Sequence, residues 1–202
     1  MAGKYMQLLL TPAVKRAQDK YYGGHDNVES APEVDPLTDR EVEFLTARDS
    51  FYMATTTETG WPYLQHRGGP PGFIKVLGPN LIGFPDFRGN QQLLTTGNLS
   101  ASDRVAIFMM DYPRRMRLKI LGHAQVLDAR ENQDLVESIA APALRARVER
   151  VFLVKVISYD WNCPQYITPR FTADEVERYV APLKERIAEL EALLAGKSTD
   201  PK

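Results

Sequence analysis

Seven segments rich in β-branched and aromatic residues, each bounded by turn residues, dominate the middle of this 202-residue chain. They are 51–57, 61–67, 73–77, 81–84, 105–110, 116–127 and 148–159. Short turns such as Gly78-Pro79-Asn80 join several of them, which predicts hairpins and hence an antiparallel sheet. With this many strands, closure into a barrel is the usual way to remove exposed edges. The pattern therefore predicts a mainly β fold, an antiparallel barrel with flanking helices.

Helix signals lie on both sides of this region. Thr11 followed by Pro12 is typical of a helix start and Gly23-Gly24 of a helix end, so an N-terminal helix is predicted at about 12–22. Thr38 and Glu41 have the spacing of a capping box, which predicts a second short helix. We expect one domain over residues 1–202.

Two further helices are predicted in the second half of the chain, one around 132–140 and a C-terminal helical tail over about 173–196. In the tail, apolar residues recur at alternating steps of four and three, as in a coiled-coil seam. Pro182 interrupts the tail and predicts a break between two helical pieces. Two interpretations remain open, a helix packed on its own barrel and a helix packed on a second subunit. The seam residues are Val176, Val180, Leu183, Ile187, Leu190 and Leu194.

The charge balance excludes some functions. With 25 Lys and Arg against 26 Asp and Glu, the chain has no global field to hold a polyanion, so we expect no nucleic-acid partner. A single cysteine, Cys163, excludes an intrachain disulfide framework and fits a reduced setting. No segment approaches the ~20 apolar residues that span a bilayer, and the first ten residues make a poor signal peptide. We expect a cytoplasmic protein with no membrane partner.

Several common catalytic motifs are absent from the sequence. It has no G-x-G-x-x-G after a strand, no G-x-S-x-G and no H-E-x-x-H. The three histidines, His25, His66 and His123, are too scattered to suggest a metal site, so none is expected. No catalytic acid or base can be named from the sequence.

Basic residues are concentrated in three segments next to predicted strands. Residues 67–73 begin with Arg67 and contain three glycines, residues 84–91 contain Arg88 beside Gly89 and Asn90, and residues 114–119 hold three arginines and a lysine. Because strand side chains alternate, Arg115, Arg117 and Lys119 are predicted to share one face. Arginine binds phosphate through its planar fork, so the three segments predict one anionic ligand, a phosphate. The alternative is that these arginines pair with surface acids.

Several of these segments resemble the pyridoxamine 5'-phosphate oxidase-related FMN-binding proteins. The similar stretches are 73–77 (FIKVL), 84–90 (FPDFRGN), 97–99 (GNL), 117–122 (RLKILG) and 160–165 (DWNCPQ) with Pro169-Arg170. They occur in the family's order, and the similarity extends over most of the chain, from about Ala13 to the final helix. The resemblance implies an FMN-binding split β-barrel, a homodimer, and FMN bound in the groove between subunits.

The resemblance also implies roles for individual residues. Arg67 and Lys75 match basic residues that reach the flavin or its phosphate, Asn98 matches a turn cap, and Arg117 and Lys119 match positions near the ring or the ribityl chain. Trp161 and Gln165 resemble the segment that the other subunit contributes. The strand-end motif that holds phosphate is matched by Pro85, Asp86, Arg88 and Asn90.

The function implied is an FMN-dependent oxidoreductase that acts on an unidentified small molecule with an electron donor such as NAD(P)H. The chain departs from the oxidase itself, because the step from Arg67 to Lys75 is longer than its R-x-x-x-x-K and its pyridoxal-phosphate residues are not evident. Alternatives are a flavin carrier or sensor without turnover, and a deazaflavin- or haem-binding variant. Trp161 is either a core aromatic or a lid over the flavin ring, and Cys163 is interpreted as a structural or weakly exposed thiol.

Overall fold

The computed structural model describes residues 3–28, 30–161 and 163–197. Contacts divide the chain into two compact units, the first formed by 1–111 and 116–164 and the second by 112–115 and 165–202. The prediction of one domain over 1–202 stays a prediction. In the part of the chain described here, every helix is too short or too polar to cross a bilayer.

The first unit is built on one seven-stranded sheet in which all neighbouring strands are antiparallel, in the order β2-β1-β5-β6-β7-β4-β3. This confirms the predicted mainly β fold with flanking helices. The strands are β1 (Ser50–Thr56), β2 (Pro62–Gly68), β3 (Lys75–Gly78), β4 (Leu81–Phe87), β5 (Arg104–Asp111), β6 (Met116–Asp128) and β7 (Val148–Trp161).

The sheet curls around an apolar core. Phe51 on β1 packs edge-on against Phe84 on β4, with ring centroids 4.9 Å apart, although four places separate these strands in the sheet order. Phe84 in turn stacks on Phe152 of β7 at 5.2 Å. All three rings are buried. The edge strands β2 and β3 are not paired with each other, so the sheet has the open seam of a split barrel.

The helices of the first unit lie between and before the strands. They are α1 (Gly3–Leu9), α2 (Pro12–Tyr22), α3 (Asp39–Thr46), α4 (Leu94–Ala101) and α5 (Gln133–Ile139), followed by a 3₁₀ helix (Pro142–Arg147). The predicted caps are present. The Thr11 hydroxyl accepts from the Val14 N–H, Gly23 is left-handed at the end of α2, and Thr38 forms a capping box with Glu41. The sequence did not predict α1 or α4.

The second unit contains α6 (Ala173–Lys197), a single helix of 25 residues with Pro182 inside it. The predicted break at Pro182 is therefore wrong. A proline in a helix removes the one hydrogen bond that its own N–H would donate four residues back, here to Arg178. The rest of α6 remains helical, and its start is secured by a reciprocal pair, Thr172 N–H to Glu175 Oε2 at 2.8 Å and Glu175 N–H to Thr172 Oγ1 at 3.2 Å.

The basic segment 114–119 is also arranged differently from the prediction. β6 begins at Met116, and Arg115 lies in the preceding turn with a left-handed φ of 53°. Arg115 thus does not share a strand face with Arg117 and Lys119, and that part of the prediction is wrong. The turn interrupts the strand alternation on which the prediction depended.

Gly122 is required where β6 changes register against β7. A Cβ at this position would lie 2.6 Å from the Lys155 carbonyl oxygen and 2.9 Å from Val154 Cγ1, next to the irregularity between Leu121 and Gly122. We expect Gly122→Ala to lower the free energy of unfolding by about 1–3 kcal/mol, as overpacking does.

The matched control is Gly97→Ala. Gly97 lies inside α4 with nothing within 4 Å of an added Cβ, so alanine should stabilise the protein by up to ~1 kcal/mol through helix propensity. Urea unfolding of both variants and the wild-type protein measures the two effects. Equal stabilities for the two variants would contradict the close approach of β6 and β7 at Gly122.

Candidate functional site

A buried carboxylate lies between two arginines from different strands. Arg67 on β2 donates to Asp86 Oδ1 through Nη1, and Arg150 on β7 donates to Asp86 Oδ2 through Nε at 2.8 Å. The register of β4 against β7 places Asp86 directly opposite Arg150. None of the three side chains is more than 20% exposed. The three groups therefore form one partly dehydrated ion cluster at the end of β4.

The cluster has a hydrogen-bond donor to spare. Two guanidinium groups share the Asp86 carboxylate, and Arg150 also pairs with Glu149 through Nη2 at 3.1 Å. Arg67 Nε is buried with no hydrogen-bond partner among the described residues. Burial lowers the pKa of Arg67, and the neighbouring Asp86 only partly opposes this effect. A buried donor without a partner costs free energy, about 1–3 kcal/mol for an ordinary group and more for a charged one. An anion beside Arg67 would remove part of that cost.

A cavity of about 300 Å³ opens beside these arginines, and we refer to it as the loop cavity. One wall consists of Tyr63, Gln65 and Arg67, which alternate along β2 and so point the same way. Asp86 and Arg150 form part of the wall, and residues 89–96 contribute most of the remainder. The cavity is therefore lined by arginine, amide, hydroxyl and backbone groups.

The segment that follows β4 is strained where it lines the loop cavity. Gln91 and Leu93 have left-handed φ angles of 60° and 54°, which are unfavourable for residues other than glycine and are characteristic of functional sites. Leu93 is the N-cap of α4 and makes no side-chain cap, so the first N–H groups of the helix lack this partner. The positive end of a helix of this kind favours an anion.

Two side-chain hydrogen bonds fix α4 against the sheet. Asn98 is buried and donates through Nδ2 to Thr55 Oγ1 on β1 at 2.9 Å, and Thr95 Oγ1 donates to Gln65 Oε1 on β2 at 2.6 Å. Asn98 is thus inside α4 and does not line the loop cavity. Its position in the fold indicates that it holds the helix whose start forms the cavity wall.

Arg88 lies beside the loop cavity and lines a second space of about 630 Å³, the Arg88 cavity. The two cavities share Thr96 and Arg150. Arg88 Nε donates to Glu149 Oε1 at 3.1 Å, and its side chain is 77% exposed. Elsewhere in this cavity, Arg130 holds the pKa of Asp128 at about 2 through hydrogen bonds. Arg88 is consequently paired with a surface acid, and most of its side chain is exposed to solvent.

The other residues implied by the resemblance lie elsewhere in the first unit. Lys75 and Pro85 line a third cavity, of about 250 Å³, together with the 70–73 bend and the segment after α5. Lys119 Nζ forms an ion pair with Asp160 at 2.9 Å and lies 4.7 Å from the ring centre of Tyr5. Lys119 is therefore engaged in holding α1 against the sheet.

Trp161 is fixed in place by its neighbours. Its Nε1 donates to Glu41 Oε1 at 2.5 Å, Phe44 packs edge-on at 4.8 Å, and the Arg40 guanidinium lies 4.2 Å from the ring centre. Arg117 directly precedes Leu118, the β6 residue that pairs with Trp161 on β7. Its Nε is buried without a hydrogen-bond partner in the described structure. Gln165 belongs to the second unit and is exposed, and Asn162 lies outside the described residues.

Of the predicted site residues, the structure brings Arg67, Asp86 and Asn90 together at the loop cavity. Sequence reasoning missed Arg150, whose role depends on the β4–β7 register, and Gln65, which shares the β2 face with Arg67. The alternation of β2 could have indicated Gln65. Nothing local in the sequence indicates that Arg150 meets Asp86.

The family to which this chain belongs follows from a match to a family model. Residues 37–158, more than half of the chain, match the family model described as pyridoxamine 5'-phosphate oxidase. The chain belongs to this family. The family suggests flavin binding, in agreement with the resemblance seen in the sequence. A search of curated proteins finds no match.

Three solved structures are each similar to about two thirds of this chain. A pyridoxamine 5'-phosphate oxidase homologue from Lactobacillus delbrueckii is 18% identical with a TM-score of 0.48, covering 62% of this chain and 93% of that chain. HupZ from Group A Streptococcus is 12% identical with a TM-score of 0.48, covering 67% and 100%. An FMN-binding protein from Syntrophomonas wolfei is 9% identical with a TM-score of 0.44, covering 62% and 88%.

Glu41 provides a pH-dependent contribution to stability at the Trp161 end of the sheet. Burial acts to raise the pKa of Glu41, but hydrogen bonds from Thr38, Trp161 and Tyr159 outweigh it and lower the pKa below its ordinary value of 4.5. Burial and the nearby Glu41 carboxylate in turn raise the pKa of Tyr159 to about 12. A carboxyl group whose pKa is lower in the native state than in the unfolded state stabilises the fold above its unfolded pKa, here about 4.5. This contribution is lost as the pH falls through the pKa of the native state.

We expect Glu41→Gln to lower the free energy of unfolding at pH 7 by about 1–3 kcal/mol, because hydrogen bonds to a charged acceptor are replaced by neutral ones. The difference from wild type should shrink as urea unfolding is repeated at pH values below 4.5, because the unfolded wild-type chain then takes up a proton at Glu41 that the native carboxylate resists. A difference that grows on acidification would contradict the lowered pKa.

Proposed function

We propose that this protein binds FMN and that the FMN phosphate is held at the loop cavity by three arginines, 67, 88 and 150, and by the 89–96 segment. The observation on which this depends is the buried Arg67–Asp86–Arg150 cluster with the unpartnered Arg67 Nε. A phosphate offers several strong acceptors to such donors, and charge-assisted hydrogen bonds are roughly twice as strong as neutral ones.

The surroundings of the cluster support a phosphate over a neutral ligand. Asn90 and Gln92 bring side-chain amides to the cavity, where the two are hydrogen-bonded to each other at 3.1 Å. The left-handed residues Gln91 and Leu93 turn the backbone directly before α4, an arrangement that favours an anion. The three arginines 67, 88 and 150 face only two carboxylates, Asp86 and Glu149, so one positive charge is left over.

FMN is preferred over the alternatives on the same geometry. Haem needs an axial ligand, and none of the three histidines lines the loop cavity. Riboflavin lacks the phosphate that the arginines and the start of α4 would bind. A deazaflavin that carries a phosphate would use the same residues, and the absorbance spectrum of the purified protein distinguishes it from FMN.

We also propose that two copies of the chain share the flavin. The loop cavity of about 300 Å³ is at the lower end of the ~300–1,000 Å³ typical of ligand pockets. FMN has a three-ring system, a ribityl chain and a phosphate, so one cavity of this size covers only part of it. A second subunit would supply the remaining wall. A monomer that binds FMN tightly would contradict the shared site.

The reaction we propose is an oxidation–reduction of a small organic molecule, with an electron donor such as NAD(P)H. Bound FMN supplies hydride and electron transfer. The residues of this chain would bind the phosphate, orient the ring and exclude water. Lys119 is paired with Asp160, and Trp161 with Glu41, so in the described structure both are already used to hold the fold.

The phosphate proposal predicts a selective effect of Arg88→Ala. Arg88 is exposed and adjoins the boundary between the loop cavity and the Arg88 cavity, so its replacement should leave the fold intact. The loss of one charge-assisted hydrogen bond, worth about 1.5–3 kcal/mol, should weaken FMN binding roughly 10–100-fold. Riboflavin binding should hardly change. Fluorescence titration with both ligands measures this.

The matched control is Arg130→Ala. Arg130 lines the same Arg88 cavity and is also exposed and ion-paired, but it does not adjoin the loop cavity. Its replacement should leave the affinity for FMN within about twofold of wild type, because it removes only an exposed ion pair with Asp128, and exposed ion pairs contribute little. Equal losses of FMN and riboflavin affinity in Arg88→Ala, or a lower melting temperature without ligand, would show that Arg88 supports the fold instead.

Turnover distinguishes the oxidoreductase from a flavin carrier. The FMN-loaded protein should oxidise NADH or NADPH steadily in air or with an added electron acceptor, followed at the absorbance of the reduced nicotinamide. Arg88→Ala should lose this activity at low FMN and regain it at saturating FMN. A protein that binds FMN and oxidises neither nucleotide with any acceptor would be a carrier or a sensor.

A further inference from the structure

The second unit presents an apolar stripe along α6. The stripe follows the heptad spacing over 176–194, and five of its six side chains are between 43% and 68% exposed. These five are Val176, Leu183, Ile187, Leu190 and Leu194. Exposed leucines and isoleucines at this regular spacing favour burial against another helix.

The residue types in the stripe select a particular partner. Counting heptads along α6 places Val180, Ile187 and Leu194 at the a positions. The d positions are then Val176, Leu183 and Leu190. β-branched residues at a together with leucine at d favour two parallel strands over three or four. The first two a positions and the last two d positions of α6 follow this rule.

Charges beside the stripe select the same orientation. In a parallel pair, each g residue faces the e residue five positions later on the other helix, so Arg186 would face Glu191 of the second copy on both sides of the seam. In an antiparallel pair with the stripes aligned, Lys184 would lie opposite Lys184 of the second copy, and Arg186 opposite Arg186 of the second copy. Both contacts would be between like charges, which destabilise the pairing.

We propose that α6 forms a parallel two-stranded coiled coil with α6 of a second copy of this chain. Pro182 is at a c position, which faces away from the seam, so its missing N–H does not disturb the packing layers. The intrachain pairs Lys184–Glu177 and Arg186–Glu189 lie on exposed side chains, and the two cations can exchange partners at little cost.

The length of the seam limits what the coil does by itself. The seam from 176 to 194 spans 19 residues, just short of three full heptads, and a self-sufficient coiled coil needs about three to four. The coil therefore adds to another contact between the copies. It does not depend on the flavin proposal, because the loop cavity is built from residues of the first unit.

Disulfide trapping in the full chain tests both the partner and the orientation. In a Cys163→Ser background, Leu190→Cys puts one thiol at a d position, where the two copies of a parallel coil bring Cα atoms within the ~4.4–6.8 Å that a disulfide spans. Mild oxidation should link most of the protein into covalent dimers. The control Ala192→Cys, at an f position on the outer face, should stay unlinked.

A double variant excludes the antiparallel alternative. Antiparallel stripes would put Leu190 opposite Val180 of the other copy, so that two copies of residue 190 lie about 15 Å apart. A Leu190→Cys protein that stays monomeric under oxidation, while Val180→Cys/Leu190→Cys links, would overturn the parallel orientation. If neither variant links, α6 packs on its own chain and the proposal is wrong.

Equilibrium association gives a second readout. Leu183→Glu puts a charge into a central layer on both helices, and sedimentation should show dimer dissociation at roughly tenfold or higher concentration, since each 1.4 kcal/mol is tenfold. Ala192→Glu should leave association unchanged. FMN titration of the same variants separates the proposals: crosslinking through Leu190→Cys without any flavin binding would support the coil and contradict the FMN site.

Discussion

The Asp86 carboxylate, buried between the guanidinium groups of Arg67 and Arg150, is the interaction on which the site depends. β2 and β4 are not neighbours in the sheet, so the Arg67–Asp86 contact spans the open seam of the barrel, while Arg150 reaches Asp86 from the adjacent β7. Breaking a buried ion pair leaves an uncompensated charge and is strongly destabilising. This cluster therefore fixes the relative positions of the strand ends that form the loop cavity.

The same cluster is incompletely satisfied, and our proposal of an anion site depends on this. Two cations share one buried anion, and Arg67 Nε has no partner in the described structure. Beyond β4, the backbone at Gln91 and Leu93 is held in left-handed conformations that cost of order 1–3 kcal/mol each. Both features are unfavourable in the protein alone, and the anion that we propose at Arg67 Nε would offset part of that cost.

The opposite polar cluster, at the ends of β6 and β7, has a different character. Glu41 accepts from Thr38 and Trp161, and Lys119 pairs with Asp160, so these groups are satisfied within the chain. They attach the N-terminal helices to the sheet. Residues that the family resemblance assigns to the cofactor therefore fall into two groups, those with donors to spare and those already engaged in holding the fold.

Local periodicity and contiguous motifs were enough to predict the seven strands, the caps of α2 and α3, the apolar spacing of the tail and the family. The predictions at Pro182 and Arg115 were wrong, because one residue's preference was outweighed by the helix or the turn around it. The contacts of Asp86 with Arg67, 19 residues away, and with Arg150, 64 residues away, could be seen only in the folded structure. Those contacts follow from strand order, register and sheet curl, and these are set by packing over the whole sheet, which no local pattern encodes.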